Sequence, residues 1–170
     1  MRLFAAIVPP EHVLDSIQAE LHRLGPDHDR EELRWAPRSR WHLTLAFYGE
    51  DDPERRAEWL AERLAGQRAV RLSIEGAGAF PGVLWVGVRG PSGPLAGAAG
   101  GDQVDRPYHP HLTLARWRGH GQQRAARHWA AELAGYRGPR WRAAEVVLMR
   151  SELSRAGPRY TVRERFGLLD

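Results

Sequence analysis

The tetrapeptide His-Leu-Thr-Leu stands twice in this chain, at residues 42–45 and again at 111–114. Polar and apolar positions alternate in both copies. A β-strand through either copy therefore sends histidine and threonine to one face and both leucines to the other. Two such strands facing across a groove present two imidazoles and two hydroxyls to whatever lies between them. Imidazole gives and takes protons near neutral pH, and a hydroxyl donates to a phosphate oxygen. The repeat thus constrains fold and chemistry together: two related lobes, and acid–base attack on a phosphate.

Composition narrows the partner. All 25 basic residues are arginine, against 21 acidic ones, for a net charge of +4. Guanidinium forks match phosphate oxygens bidentately, but the excess is too small for a long nucleic-acid track. A small phosphorylated ligand or an RNA end suits it better. No run approaches the ~18 apolar residues of a membrane span, and the opening strand from Arg2 to Val8 lacks a signal-peptide pattern. The absence of cysteine excludes disulfides and thiolate metal sites. The expectation is a cytoplasmic monomer with no membrane association and no obligate protein partner, forming one two-lobed domain over 1–170.

The pattern along the chain is α+β with antiparallel neighbours. After the first strand, Pro9-Pro10 opens a helix carrying Val13, Leu14, Ile17, Leu21 and Leu24, and Gly25-Pro26 closes it. A strand over 41–48 holds the first repeat. Asp52-Pro53-Glu54 then caps a helix with Trp59, Leu60 and Leu64 on its apolar side. Strands near 70–75 and 83–88 are joined by a glycine-rich link, and a strand over 110–117 holds the second repeat. A helix over 122–133 and final strands near 142–150 and 159–166 complete the order. Residues 90–101, rich in glycine, read as a flexible loop that cannot hold a stable helix.

His42 and His111 are the candidate acid and base, with Thr44 and Thr113 placed to hold phosphate oxygens. Arg116 falls five residues after His111, so strict alternation turns it to the opposite face unless twist or a bulge intervenes. Phe47 occupies the matching place in the first copy; it is a candidate to stack a base, although alternation favours the core for it, as helical position does for Trp59 and Trp129. Tyr108 is the aromatic best placed to stack a base, with Phe80 and Trp85 also near strand ends. His109 and His111 form His-x-His, which with Asp102 or Asp105 would make a metal site. That site leaves the first repeat unexplained, so no metal and no cofactor are expected. His12, His22, His28, His120 and His128 are expected to face solvent.

These motifs make the chain resemble the two-histidine phosphoesterases, and among them the RNA 2′,3′-cyclic phosphodiesterases or LigT-like proteins. The resemblance extends through Arg2-Leu3-Phe4-Ala5-Ala6-Ile7, Arg34-Trp35, the stretch from Trp41 to Glu50, Gly78-Ala79-Phe80-Pro81, and the stretch from Arg106 to Arg116. Ser151-Glu152-Leu153 and Gly157-Pro158-Arg159-Tyr160 resemble the family's C-terminal signature. It implies a bilobal, pseudo-symmetric fold with two antiparallel sheets around a central cleft and helices outside. It implies metal-independent opening of 2′,3′-cyclic phosphates on RNA ends or nucleotides to 2′-phosphates, with 2′-5′ RNA ligation as the reverse chemistry. By the same likeness His42 is the proton donor, His111 the proton acceptor, and Arg116 a phosphate contact. It also implies a helix before the second motif, where the glycine-rich residues are few. The alternative is a module of the same fold that binds nucleotides or RNA ends without turnover, and product formation separates the two.

Overall fold

The computed structural model describes residues 1–25, 32–102 and 106–170; His28 and Asp105 lie outside them. Among the described residues the strands are β1 (Arg2–Ile7), β2 (Arg34–Trp35), β3 (Leu43–Glu50), β4 (Val70–Phe80), β5 (Val83–Arg89), β6 (His111–Arg116), β7 (Trp141–Ala143), β8 (Glu145–Ser154) and β9 (Gly157–Gly167). The helices are α1 (Glu11–Leu24), α2 (Pro53–Leu64), α3 (Gly93–Ala98) and α4 (Gln123–Leu133). Strand order is β7-β4-β5-β6-β3-β1-β8-β9, with β2 added to β6. Every strand pair is antiparallel.

Among the described residues a single ladder pair joins the sheets of the two lobes. β3 and β6 meet only at Leu43 and Leu112, the second residues of the two repeats. The first lobe is β3-β1-β8-β9 and the second is β6-β5-β4-β7 with β2. The antiparallel sense puts His42 level with Thr113 and Thr44 level with His111, an approximate twofold about the Leu43–Leu112 pair. All four repeat leucines are at most 1% exposed. Burying each contributes roughly 1.5–3 kcal/mol, so the apolar half of the repeat anchors the polar half.

β1 shows the two faces of the first lobe. Leu3, Ala5 and Ile7 enter the main core, while Phe4 and Ala6 turn to the cleft side and cluster with Val147, Met149, Tyr160 and Val162. On the outer side, α4 buries Ala126, Trp129 and Leu133, and Trp129 meets Trp35 edge to face at 5.0 Å. Asp52 caps α2 by accepting from the Arg55 amide at 2.9 Å, with Pro53 at its first position.

Two expectations need correction. β4 runs unbroken through the glycine-rich stretch to Phe80, bending at a register shift between Ile74 and Ala77. The turn to β5 is made by Pro81 and Gly82, the latter at φ 78°. Residues 90–101 are also not a loose loop, since they hold α3. Its end is a Schellman motif: the Gly101 amide donates to Ala96 O at 2.8 Å and the Gly100 amide to Gly97 O at 3.1 Å, with Gly100 at φ 84°. Arg63 Nε donates to Ala98 O at 3.0 Å and the Tyr48 hydroxyl to Ala99 O at 2.7 Å. The glycines that make the stretch look structureless are the ones that end a helix and let it pack closely.

Candidate active site

Both histidines are held by one local device. His42 Nδ1–H donates to the Arg40 carbonyl at 2.7 Å, and His111 Nδ1–H donates to the His109 carbonyl at 2.7 Å. In each case the acceptor is two residues back. A carbonyl only accepts, so Nδ1 must carry the hydrogen and Nε2 is left as the proton-exchanging atom. His42 Nε2 faces Thr44 Oγ1 at 2.8 Å. A neutral ring accepts from that hydroxyl, and a protonated ring donates to it.

The strands then bulge at the same place in both copies. Ala5 and Ala6 of β1 pair with Ala46 and Thr44, skipping Leu45. Leu84 and Trp85 of β5 pair with Ala115 and Thr113, skipping Leu114. Each bulge inserts one residue and reverses the alternation beyond it. Consecutive residues are accordingly buried, Leu45 with Ala46 and Leu114 with Ala115. The next residue, Phe47 or Arg116, returns to the histidine face.

Arg116 thus reaches the cleft despite the count of residues. Its charge, after burial, helps depress the pKa of both His42 and His111. Phe47 departs from its expected core position. It is 76% exposed and lies 5.9 Å from the Phe4 ring, which itself lies 4.9 Å from His42.

Each imidazole rests on aromatic rings. Phe4 and Tyr160 flank His42, the latter edge-on at 5.3 Å. Phe80 stands edge-on to His111 at 5.2 Å, with Trp85 at 6.2 Å and His109 at 5.8 Å. Gly78 makes room for the Trp85 ring, because a Cβ there would sit 2.4 Å from it. Gly87 pairs with His111, and a Cβ there would meet the Glu75 carbonyl oxygen at 2.6 Å. Phe4 and Tyr160 were not among the candidate residues. The phase of Phe4 against Leu3, Ala5 and Ile7 is the signal that could have found it; Tyr160 is marked only by the C-terminal stretch from Gly157 to Tyr160 that resembles the family's signature.

Tyr108 is placed differently from a stacking platform. Its hydroxyl donates to the Thr44 carbonyl at 2.8 Å, and its ring packs against the core. It ties the entry of the second motif to the first motif's strand, and burial pushes its pKa upward. His109 is exposed and contacts Trp85 at 4.7 Å. Among the described residues no three His, Asp or Glu side chains are grouped to hold a metal ion. His12, His22, His120 and His128 are exposed, as expected. No helix among the described residues is long and apolar enough to cross a membrane.

Burial is the largest cause lowering the pKa of both histidines, and the i−2 carbonyls oppose it. The charge of His111 also acts on His42. Two imidazoles, two hydroxyls and one guanidinium on a shared face form a cleft suited to an anionic phosphate.

This arrangement of lobes and repeats is that of a two-histidine phosphoesterase. The LigT-like phosphoesterase family model matches residues 8–87 and 92–160, and the chain belongs to that family. A relative in Thermus thermophilus, an RNA 2′,3′-cyclic phosphodiesterase, is 32% identical over 99% of this chain and 90% of its own length. One of the same name in Methanothermobacter thermautotrophicus is 35% identical over 75% of this chain and 78% of its own. Among solved structures, TT0787 of Thermus thermophilus superposes with a TM-score of 0.74 at 30% identity, covering 99% of this chain and 98% of its own. Escherichia coli LigT complexed with 3′-AMP does so with 0.72 at 30% identity and the same coverage.

Proposed function

We propose that this chain opens 2′,3′-cyclic phosphates at RNA ends or on nucleotides to 2′-phosphates, without a metal, through His42 and His111. The observation that carries the reading is the matched pair of imidazoles, each with Nδ1 locked to an i−2 carbonyl and Nε2 left for chemistry. His111 Nε2 takes a proton from water, whose oxygen attacks phosphorus. The bond from phosphorus to the 3′ oxygen breaks, and His42 Nε2–H gives that oxygen its proton. Phosphate stays on the 2′ oxygen, and the two rings have exchanged protonation states. His111 is the more open of the two, which suits the ring that receives water.

Thr44, Thr113 and Arg116 hold the non-bridging oxygens, whose charge grows in the transition state. Residues 1–170 act as one unit in this reading, because β1 lies between β3 and β8 and completes the first lobe. Replacing water by the 5′ hydroxyl of a second RNA gives a 2′-5′ linkage by the same proton transfers. The similarity to the named phosphodiesterases supports the substrate class.

The test is a product assay on an oligoribonucleotide ending in a 2′,3′-cyclic phosphate, with EDTA present. The expected product is the 2′-phosphate at an undiminished rate. A 3′-phosphate product, or loss of turnover on chelation, overturns the proposal.

Phe47 supplies the exposed ring on which the terminal base stacks. Such stacking is worth ~1–3 kcal/mol per base. Phe47→Ala is therefore expected to raise KM for a cyclic mononucleotide about tenfold with kcat nearly unchanged, measured by steady-state kinetics.

A further inference from the structure

We propose that Arg34 is a second phosphate contact, gripping the phosphodiester on the 5′ side of the terminal nucleoside, so that the enzyme favours oligoribonucleotide ends over free cyclic nucleotides. The inference rests on the cyclic-phosphate reading above and extends it to a neighbouring subsite.

The observation is a like-charge pair. β2 adds only Arg34 and Trp35 to β6, and Arg34 stands directly opposite Arg116. Opposed residues of an antiparallel pair share a face, with Cα atoms about 4.5–5.5 Å apart. Trp35 turns the other way and packs on Trp129. Arg34 must therefore point to the cleft side with Arg116. Both guanidiniums are exposed, and among the described residues neither meets a carboxylate.

Like charges directly opposite each other on a sheet are destabilising. Some arginines elsewhere on the surface are paired with carboxylates, Arg38 with Glu11 and Asp15, Arg56 with Asp51, and Arg165 with Glu145, whereas Arg34 and Arg116 face each other. An unneutralised pair beside the catalytic face is what an anion would relieve. Arg116 lies close enough to act on both histidines, whereas Arg34 does not figure among the charges acting on either. One fork thus addresses the reacting phosphate, and its cross-strand neighbour stands one step farther out. Adjacent phosphates of a single RNA strand present the same succession of charges. A mononucleoside cyclic phosphate has only the first of them.

Two substrates and one binding assay test this. Arg34→Ala is expected to lower kcat/KM about tenfold on an oligoribonucleotide ending in 2′,3′-cyclic phosphate, and to leave a cyclic mononucleotide within twofold. Arg34→Lys should recover part of the loss by keeping the charge. Binding of a fluorescent oligoribonucleotide with a 3′ hydroxyl should lose about 0.7 from its salt slope in Arg34→Ala. Its Tm should stay level or rise as the like-charge pair is removed. Equal loss on both substrates, no loss on either, or an unchanged salt slope overturns the proposal. Absence of turnover by the unaltered chain would refute the cyclic phosphodiesterase reading, while the salt slope would still judge Arg34.

Discussion

Replacing His42 or His111 by alanine is expected to lower kcat on a cyclic phosphate by about 10²–10⁴-fold each, the range that a positioned acid or base supplies. The double variant falls little further, because acid and base serve one concerted displacement and their effects do not add. Single-turnover rates of the three variants check this, and near-normal rates in both single variants would exclude the two-histidine mechanism. The roles separate by leaving group. A phosphodiester whose departing oxygen is a weakly basic phenolate needs no proton, so His42→Ala should recover most activity on it. His111→Ala should not, because the attacking water still needs a base. Recovery in the opposite variant would exchange the two assignments.

The same pair fixes the sign of the pH dependence. In the proposed mechanism the productive free enzyme has His111 neutral and His42 protonated. Burial lowers both pKa values below the ordinary histidine value, and the cationic neighbours lower them further. The acid limb and the alkaline limb of kcat/KM both move downward, so the bell is centred below pH 6.5. Binding an anionic cyclic phosphate sets a negative charge beside His42 and favours its imidazolium. The alkaline limb of kcat therefore lies above that of kcat/KM. Rate profiles from pH 4 to 9 show it.

The placing of His42 and His111 on one cleft was legible because its information is local. Period-two alternation and two adjacent leucines are enough to face a histidine and a threonine into a cleft. Phe47 and Arg116 were harder, because their orientation is set by ladders with β1 and β5 rather than by their own strand. A bulge after Leu45 and Leu114 reverses the phase, and composition within β3 or β6 does not announce it. The sequence did mark the alternative for Arg116, but simple alternation misplaced Phe47. Tyr160 reaches His42 from the far end of the chain through β9 and β8, a path that no spacing displays. α3 was hidden for a different reason: its glycines lower helix propensity while serving as its terminator and its contact surface.

Gly101→Ala tests how far that helix supports the site. Gly101 has no left-handed backbone that forbids alanine; the obstacle is space. A Cβ there would lie 1.7 Å from the Leu45 carbonyl oxygen and 3.2 Å from Ala46 Cα. Those two residues form the bulge that turns Phe47 toward His42. Backbone cannot swing aside as a side chain can, so either α3 lifts from β3 or the bulge shifts. The docking bonds from Arg63 and Tyr48 oppose the first movement. Overpacking of this kind costs ~3 kcal/mol, at the upper end of the usual range. For a chain of this size that lowers Tm by about 6–12 °C. Activity should fall at temperatures where the fold is intact, because the displaced strand carries Thr44 and follows His42 directly. Gly97→Ala is the control: a Cβ at Gly97 meets nothing within 4 Å, and alanine favours the helix. Its Tm should hold or rise. Calorimetry of the two variants beside kcat at 25 °C distinguishes a helix that only fills the lobe from one that sets the bulge, since only the latter couples the loss of Tm to a loss of rate.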